Sequence, residues 1–413
     1  MAQVNITLTQ AEVLQVLTGD RDEAMKFLLE RILNEIMKAE SEEQLGAARH
    51  ERTEERQDYR NGTRERELKT RIGKLTLEVP RHRNVPFHTM VFENYQRSEA
   101  ALIATMVQMV IMGVSSRKVE KVVTTLCGTS FSKSTVSELC KRLDKDIDLF
   151  KSRPLDFQEA PFLMLDATYF KVREDHRIRS KAFLVALAFK PDGKREVVGF
   201  DVFDAEENHS WKTFLCGLKD RGLKDVRMVI SDSHKSIRKS VAEVYPEAAW
   251  QRCQAHFQRN ILDITPNKYK GALALELRKM FEAASIEEAR CIKESIVAEY
   301  EEVAEKAIET LEKGFEESMT ARCLPYSLQV KLRTTNLLER LNRELKRRSD
   351  VIQVFPNTES ILRLMGAVTI EINNGYIARN SLYAEKTFDK LCEDTFPMLR
   401  RIALEQLELI KAA

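Results

Sequence analysis

FLMLDATYFKV, Phe162 to Val172, sets one carboxylate inside an otherwise apolar run. Phe162, Leu163, Met164 and Leu165 precede Asp166, and Ala167 follows it. Such a run reads as a buried strand, where an ionised carboxylate is costly unless it is paired, protonated or bound to metal. An Asp at a strand end or on a solvent-facing pleat is the structural alternative.

The neighbouring stretches extend the strand texture. KAFLVALAF (Lys181 to Phe189) and KREVVGFDVF (Lys194 to Phe203) follow, with Pro191-Asp192-Gly193 as a turn signal between them. Together they predict a three-strand antiparallel meander. A helix over about 209–221 comes next, then the strand VRMVISD, another helix and the short strand AAWQRC. Strands that are first antiparallel and then alternate with helices imply an α/β sheet with mixed pairing. Asp232 closes VRMVISD at the C-terminal end of its strand, where open α/β sheets form sites, although an Asp there also suits a helix cap. From Phe257 to about Ser318 the pattern is helical throughout.

A third acidic position stands in TTNLLERLNRELKRR, Thr334 to Arg348. Asn336 and Glu339 fit a capping box, with Asn336 as N-cap and Glu339 reaching back. Leu338, Leu341 and Leu345 form the apolar stripe, while Glu339, Asn342 and Lys346 share another face. Glu344 is the rival carboxylate.

Ahead of the sheet, residues 8–42 are helical by pattern and 44–70 are polar, with Asn61-Gly62 as a turn signal. Leu75, Leu77 and Val79 alternate as a short strand that Pro80 ends. Ala100 to Met112 is an apolar helix. Two short amphipathic helices, about 116–126 and 134–143, flank a turn at Gly128 with helix-turn-helix spacing, and Lys133 opens the second. Short helix pairs also occur in ordinary all-α cores.

The 413 residues exceed one compact core, and 43% hydrophobic with 31% charged residues describes a globular chain. No apolar run approaches bilayer length, and no export signal is visible at the start. Seven scattered cysteines read as reduced cytosolic thiols. The net charge of +2 is uninformative, but its distribution is not: residues 60–83 hold eight Lys/Arg against three acids, and 340–348 hold five against one. A solvated charged face is the ordinary explanation of such runs, whereas defined basic patches suit contact with a polyanion.

Read in order, YRNGTRERELKTRIGKLTLEVPRHR, LMLDATYFKV, VISDSHKSI, WQRCQAHFQRN and TTNLLERLNRELKRR resemble the Mutator-type DDE transposases of bacterial insertion sequences, over about Tyr59 to Tyr376. The resemblance implies an RNase H-like catalytic core: a mixed five-stranded sheet with flanking helices, interrupted by an all-α insertion domain. An N-terminal, mostly α DNA-binding and dimerisation region would precede it. The expected divisions are 1–58 N-terminal helical, 59–155 DNA-binding with the basic segment and helix-turn-helix, 156–256 first part of the core, 257–325 insertion, 326–376 second part of the core with Glu339, and 377–413 C-terminal helical. By resemblance Asp166, Asp232 and Glu339 are the catalytic triad, 66 and 107 residues apart, and bind two Mg²⁺ ions per site, with Mn²⁺ able to substitute. The stretch DSHKS, with Ser233 and Ser236, departs from the family's D-G-H-x-G-like pattern.

The expected activity is binding of terminal inverted repeats, phosphodiester hydrolysis and transfer of the 3′-hydroxyl into target DNA by a homodimer or higher oligomer. The expected place is the bacterial cytoplasm, on the nucleoid when bound to DNA. The alternatives are a non-catalytic, domesticated DNA-binding protein and an RNase H-like nuclease without strand transfer. DNA contacts are expected from Arg60, Arg64, Arg66, Lys69, Arg71, Arg81, Arg83, Lys133, Lys346, Arg347 and Arg348. Cys253-x-x-His256 is one ligand pair where structural zinc needs two, so it is read as packing, ordering the site or contacting DNA. His234 is read as a phosphate-contacting or helix-start residue. Trp211, at helical spacing with Phe214, Leu215 and Leu218, is read as core or as an aromatic surface for DNA.

Overall fold

The computed structural model describes residues 9–412 apart from 19, 49–50, 52, 54–55, 71, 90, 92–99, 128–130, 156–158 and 379–380. The chain divides into two compact units, 1–142 and 143–413.

In the first unit, α1 (Gln10–Thr18) and α2 (Arg21–Leu45) lead to a hairpin of β1 (Arg60–Thr70) and β2 (Gly73–His82). Leu68, Leu75, Leu77 and Val79 pack against Met37 of α2. α2 also closes the outer edge of β2: Glu30 accepts from Thr76 N (2.6 Å) and Asn34 from Glu78 N (2.9 Å). Here the structure corrects the sequence reading. Residues 60–70 are a strand rather than a polar connection, and β2 continues past Pro80 to His82. Asn61-Gly62 is a bulge rather than a turn: the register shifts between Arg60 and Thr63, with Gly62 at φ 75°. Pro80 pairs with Thr63 at the edge of that irregularity, where a missing N–H is tolerated. α3 (Ala100–Ile111), α4 (Ser116–Cys127) and α5 (Lys133–Cys140) then share the core of Leu102, Met106, Val119, Val123, Phe131 and Val136. Ser132 caps α5 by accepting from Thr135 N (3.1 Å). The expected turn at Gly128 lies outside the described residues.

The second unit begins with α6 (Leu143–Ser152), which sequence placed with the N-terminal region; Asp144 pairs with Arg363 (2.6 Å). Then come β3 (Phe162–Glu174), β4 (Arg177–Phe189), β5 (Arg195–Phe203), α7 (Asn208–Asp220), β6 (Met228–Ser231), α8 (Lys235–Val244) and β7 (Ala249–Arg252). The sheet order is β5-β4-β3-β6-β7, antiparallel across the first three strands and parallel from β3 to β7. This is the expected meander followed by parallel strands. β4 lies between β5 and the central β3, and its residues Ala182 to Phe189 are fully buried. On one face Leu163, Leu165, Leu184 and Val229 pack with Trp211, Leu215 and Val241 of α7 and α8. Phe183 and Phe200 stack on the other (5.6 Å).

α9 (Gln254–Asp263), α10 (Asn267–Glu282), α11 (Ile286–Tyr300) and α12 (Glu305–Ser318) enclose their own core of Phe257, Leu273, Leu277, Leu311 and Phe315. α13 (Tyr326–Leu332), α14 (Asn336–Ser349), α15 (Thr358–Ile377), α16 (Glu385–Lys390) and α17 (Phe396–Ala412) complete the unit. Gln406 of α17 closes the edge of β7, accepting from Trp250 N (2.7 Å) and donating to Trp250 O (2.9 Å). No helix among the described residues is long and apolar enough to cross a membrane.

One buried carboxylate staples the base of the N-terminal hairpin. Asp58 accepts from Val85 N (2.8 Å), Asn84 N (2.9 Å) and Asn84 Nδ2 (2.9 Å), and the Val85 and Asn84 N–H groups hold its pKa down at about 2. A depressed pKa stabilises the fold above the ordinary value of 3.8 and loses that effect as pH falls towards 2. Asp58→Ala is therefore expected to lower the melting temperature at pH 7, with the gap to wild type closing over that acid range. A gap unchanged by pH would show that the carboxylate charge is not what stabilises the hairpin.

Candidate active site

The site begins with strand register. Phe162, Leu163 and Met164 of β3 stand beside Met228, Val229 and Ile230 of β6, a constant offset of 66 residues. The same offset carries Asp166 to Asp232, two residues beyond the last pair and on the same face as Met164 and Ile230. Asp166 accepts from Asn342 Nδ2 of α14 (2.7 Å) and from Ala167 N (2.9 Å). Burial raises its pKa to about 7; the positive His256 opposes that rise and Asp232 adds to it. Asp232 accepts from His234 N (2.8 Å) in a tight turn, while His234 itself is the cap residue of α8 and is exposed.

Glu339 enters from the first turn of α14. The capping box expected there does not form. Thr335, not Asn336, is the cap residue, and neither side chain caps the helix. The physical reason is a stronger tertiary tie. Thr335 is fully buried, and both its N–H and its hydroxyl donate to Cys253 Sγ, each at 3.3 Å. Gln254 N also donates to Arg333 O (3.0 Å), so the start of α14 is fastened to the end of β7 and the start of α9. Glu339 then faces α9, with Oε1 3.4 Å from His256 Nε2 and 3.8 Å from Arg259 Nη2.

Cys253 and His256 polarise each other. The His256 pKa rises to about 9, first through Cys253 and then through the charges of Asp166 and Asp232. Burial alone would push the Cys253 thiol up, but His256 and Thr335 together bring it down. His256 Nδ1 is buried and meets no hydrogen-bond partner in good geometry among the described residues. Among the described residues no group of three or more His, Cys, Asp or Glu is arranged to hold a metal. Glu339 is instead turned towards His256 and Arg259, and Glu344 is occupied with Arg347 (2.8 Å) and Arg348 (3.8 Å).

The sequence profile of the Mutator family of transposases matches residues 1–379. The chain is 40% identical over 370 residues to the transposase of insertion sequence ISRM5 of Rhizobium meliloti, covering 90% of this chain and 92% of that protein. It is 38% identical over 397 residues to the transposase of IS256 in transposon Tn4001 of Staphylococcus aureus, covering 94% and 100%. The IS1081 transposase of Mycobacterium tuberculosis is 34% identical over 361 residues. The chain belongs to the Mutator family of transposases.

The transposase fold distributes the other sequence-selected residues unevenly. Trp211 is fully buried, and its Nε1 donates to Glu206 (3.2 Å), which makes it core rather than surface. Arg60 is spent on Ala47 O (2.9 Å), Ala48 O (3.1 Å) and Glu42 (3.3 Å), and Lys69 lies over the Phe131 ring (4.6 Å). Arg66 is partly covered, and Arg71 lies outside the described residues. Arg64, Arg81, Arg83, Lys133, Lys346 and Arg347 are exposed, whereas Arg348 is buried beside Glu344. Sequence reasoning left out Asn342, although its position three residues beyond Glu339 on one helix face was a usable signal. It also left out Glu206, which accepts from Tyr169 and Trp211 and stands close enough to Asp166 and Asp232 to feel their charges.

Cys253→Ala would leave the Thr335 N–H and hydroxyl buried without an acceptor, at a cost of about 1–3 kcal/mol. Chemical denaturation is expected to show that loss, with Cys253→Ser recovering part of it. Equal stability of wild type and Cys253→Ala would mean that the thiol does not fasten α14.

Proposed function

We propose that this chain is the DNA-cutting and DNA-joining enzyme of an insertion sequence, with Asp166, Asp232 and Glu339 as its catalytic carboxylates. The carrying observation is the shared register of Asp166 and Asp232 on neighbouring parallel strands, with Glu339 presented from a helix fastened beside them. The meander, the two parallel strands and the helical core over α9–α12 support reading the second unit as RNase H-like with an α-helical insertion. The three-helix core of α3–α5, with exposed Lys133 at the start of α5, supports DNA binding by the first unit. Binding of terminal inverted repeats and of target DNA, and assembly as a dimer or larger complex, belong to the same reading.

The donor set suits a hard divalent cation. Asp166 and Asp232 offer only oxygen, the β3–β6 offset brings them to neighbouring positions, and Asn342 Oδ1 is buried without a partner among the described residues. Asp166, Asp232 and Glu339 would hold Mg²⁺, or Mn²⁺ in its place. When bound, the metal supplies Lewis-acid activation of the attacking oxygen and charge stabilisation at the scissile phosphate. The chain's own side chains do the placing. Asn342 fixes the orientation of the Asp166 carboxylate, and His256 and Arg259 orient that of Glu339.

Purified protein with Mg²⁺ is expected to cleave labelled ends of its own element and join them to target DNA, and chelation should stop both steps. Asp166→Ala, Asp232→Ala and Glu339→Ala should each abolish chemistry while end binding in a mobility-shift assay stays close to wild type. Asn342→Ala should slow it about 10- to 100-fold, the range for groups that orient metal ligands. Full activity of Glu339→Ala with loss in Glu344→Ala would reassign the third carboxylate. Cleavage without joining would identify a nuclease, and binding without either a regulator.

A further inference from the structure

β3 outlasts its parallel neighbour. β6 stops at Ser231, while β3 runs on to Glu174 with β4 along its other edge. On the β6 side the strand is taken up again, among the described residues, only by Phe355, whose N–H donates to Lys171 O (2.8 Å) and whose carbonyl accepts from Arg173 N (2.9 Å). This extension is thus held from both sides. Alternation places Tyr169, Lys171 and Arg173 on one face of it, with Ser180 and Ile178 of β4 opposite the two cations. Tyr169 is 48% exposed and Ile178 58%, and both cations are exposed without an ion-pair partner among the described residues.

The acids nearby do not neutralise this stripe. Glu174 is taken by Lys181 (2.8 Å) and Thr358 (2.8 Å), and Asp175 lies 3.7 Å from Arg179. Tyr169 is also fixed in direction. Its hydroxyl donates to Glu206 Oε2 (2.9 Å), and Glu206 Oε1 accepts from the fully buried Trp211 (3.2 Å). The chain Trp211–Glu206–Tyr169 therefore fixes a half-exposed aromatic ring three residues along the strand from Asp166, on the opposite pleat but close enough to Asp232 for the tyrosine hydroxyl to feel its charge.

We infer that the Tyr169–Lys171–Arg173 face is a track for the DNA strand that leads to the scissile phosphodiester. Lys171 and Arg173 contact neighbouring phosphates, and the Tyr169 ring stacks on the nearest base. The inference rests on the DNA-cutting reading and adds to it an interaction surface outside the basic segments of residues 60–83 and 340–348. The two cations sit about 7 Å apart along the strand, a spacing that suits successive phosphates on one strand. A tethered ring beside them suits a base of any sequence, because stacking needs only a π-face.

The test uses the full chain and a fluorescent duplex carrying one end of its element, with Ca²⁺ in place of Mg²⁺, read by anisotropy across a salt series. Each phosphate contact contributes about 0.7–0.9 to the slope of log affinity against log salt. Lys171→Ala/Arg173→Ala is expected to flatten that slope by roughly 1.4–1.8. Tyr169→Ala is expected to weaken binding about tenfold, and Tyr169→Phe, which keeps the ring, much less. A control lacking two exposed cations of α10, Lys268→Ala/Arg278→Ala, should keep the wild-type slope. The inference is overturned if the Lys171/Arg173 variant keeps the wild-type slope and affinity, or if the α10 control loses as much. Failure of the wild-type chain to bind the duplex at all would instead remove the DNA-cutting reading beneath it.

Discussion

Two carboxylates follow one 66-residue offset across β3 and the end of β6, the first of them buried, and the site has to accommodate both charges. Adjacent strands lie about 4.8 Å apart, and two like charges about 5 Å apart repel by roughly 3 kcal/mol at an effective dielectric near 20. The hydrogen bond from Asn342 to Asp166 contributes less, about 1.5–3 kcal/mol for a bond to a charged group. One remaining solution is a proton: burial, with a smaller contribution from Asp232, raises the Asp166 pKa to about 7. In the proposed reading the other is a cation, which would satisfy both carboxylates at once. Polar residues so placed in a sheet that is otherwise closely apolar make sense as a binding device and are a burden as structure.

Glu339 has a different kind of support. Its helix starts where a buried cysteine meets a buried threonine, and an imidazole from the same Cys-x-x-His stretch reaches its carboxylate. Cys253 and His256 thus act through geometry: one fastens the backbone four residues before Glu339, the other holds its side chain. The same fastening joins α14 to the end of β7, so the helical block of α9–α12 does not separate the third carboxylate from the sheet that carries the first two.

Much of this was legible in the residues. The meander was readable because its apolar runs are long and its turn signals are strong. Asp166 and Asp232 stood out because a charge inside a buried run needs a reason. The hairpin of residues 60–82 was not readable in its first strand: Arg64, Glu65, Arg66 and Glu67 alternate charges on a strand whose outward positions are all polar, so no hydrophobic period marks it. The Asn336 cap failed because a local motif was overridden by the tertiary contact of Thr335 with Cys253. Arg60 and Arg348 looked like free cations, but carbonyls and a glutamate distant from any local pattern engage the first, and burial removes the second. Nothing in the sequence pointed to Glu206, whose place depends on the loop that brings it between Tyr169 and Trp211.

The central claim is that Asp166, Asp232 and Glu339 serve one metal site. Anomalous diffraction from crystals of the Mn²⁺-bound protein with DNA tests it most directly. The account predicts manganese coordinated by Asp166 and Asp232, with Glu339 swung from His256 and Arg259 to join them. Manganese bound elsewhere, with these three carboxylates uncoordinated in a complex that still cuts DNA, would contradict it.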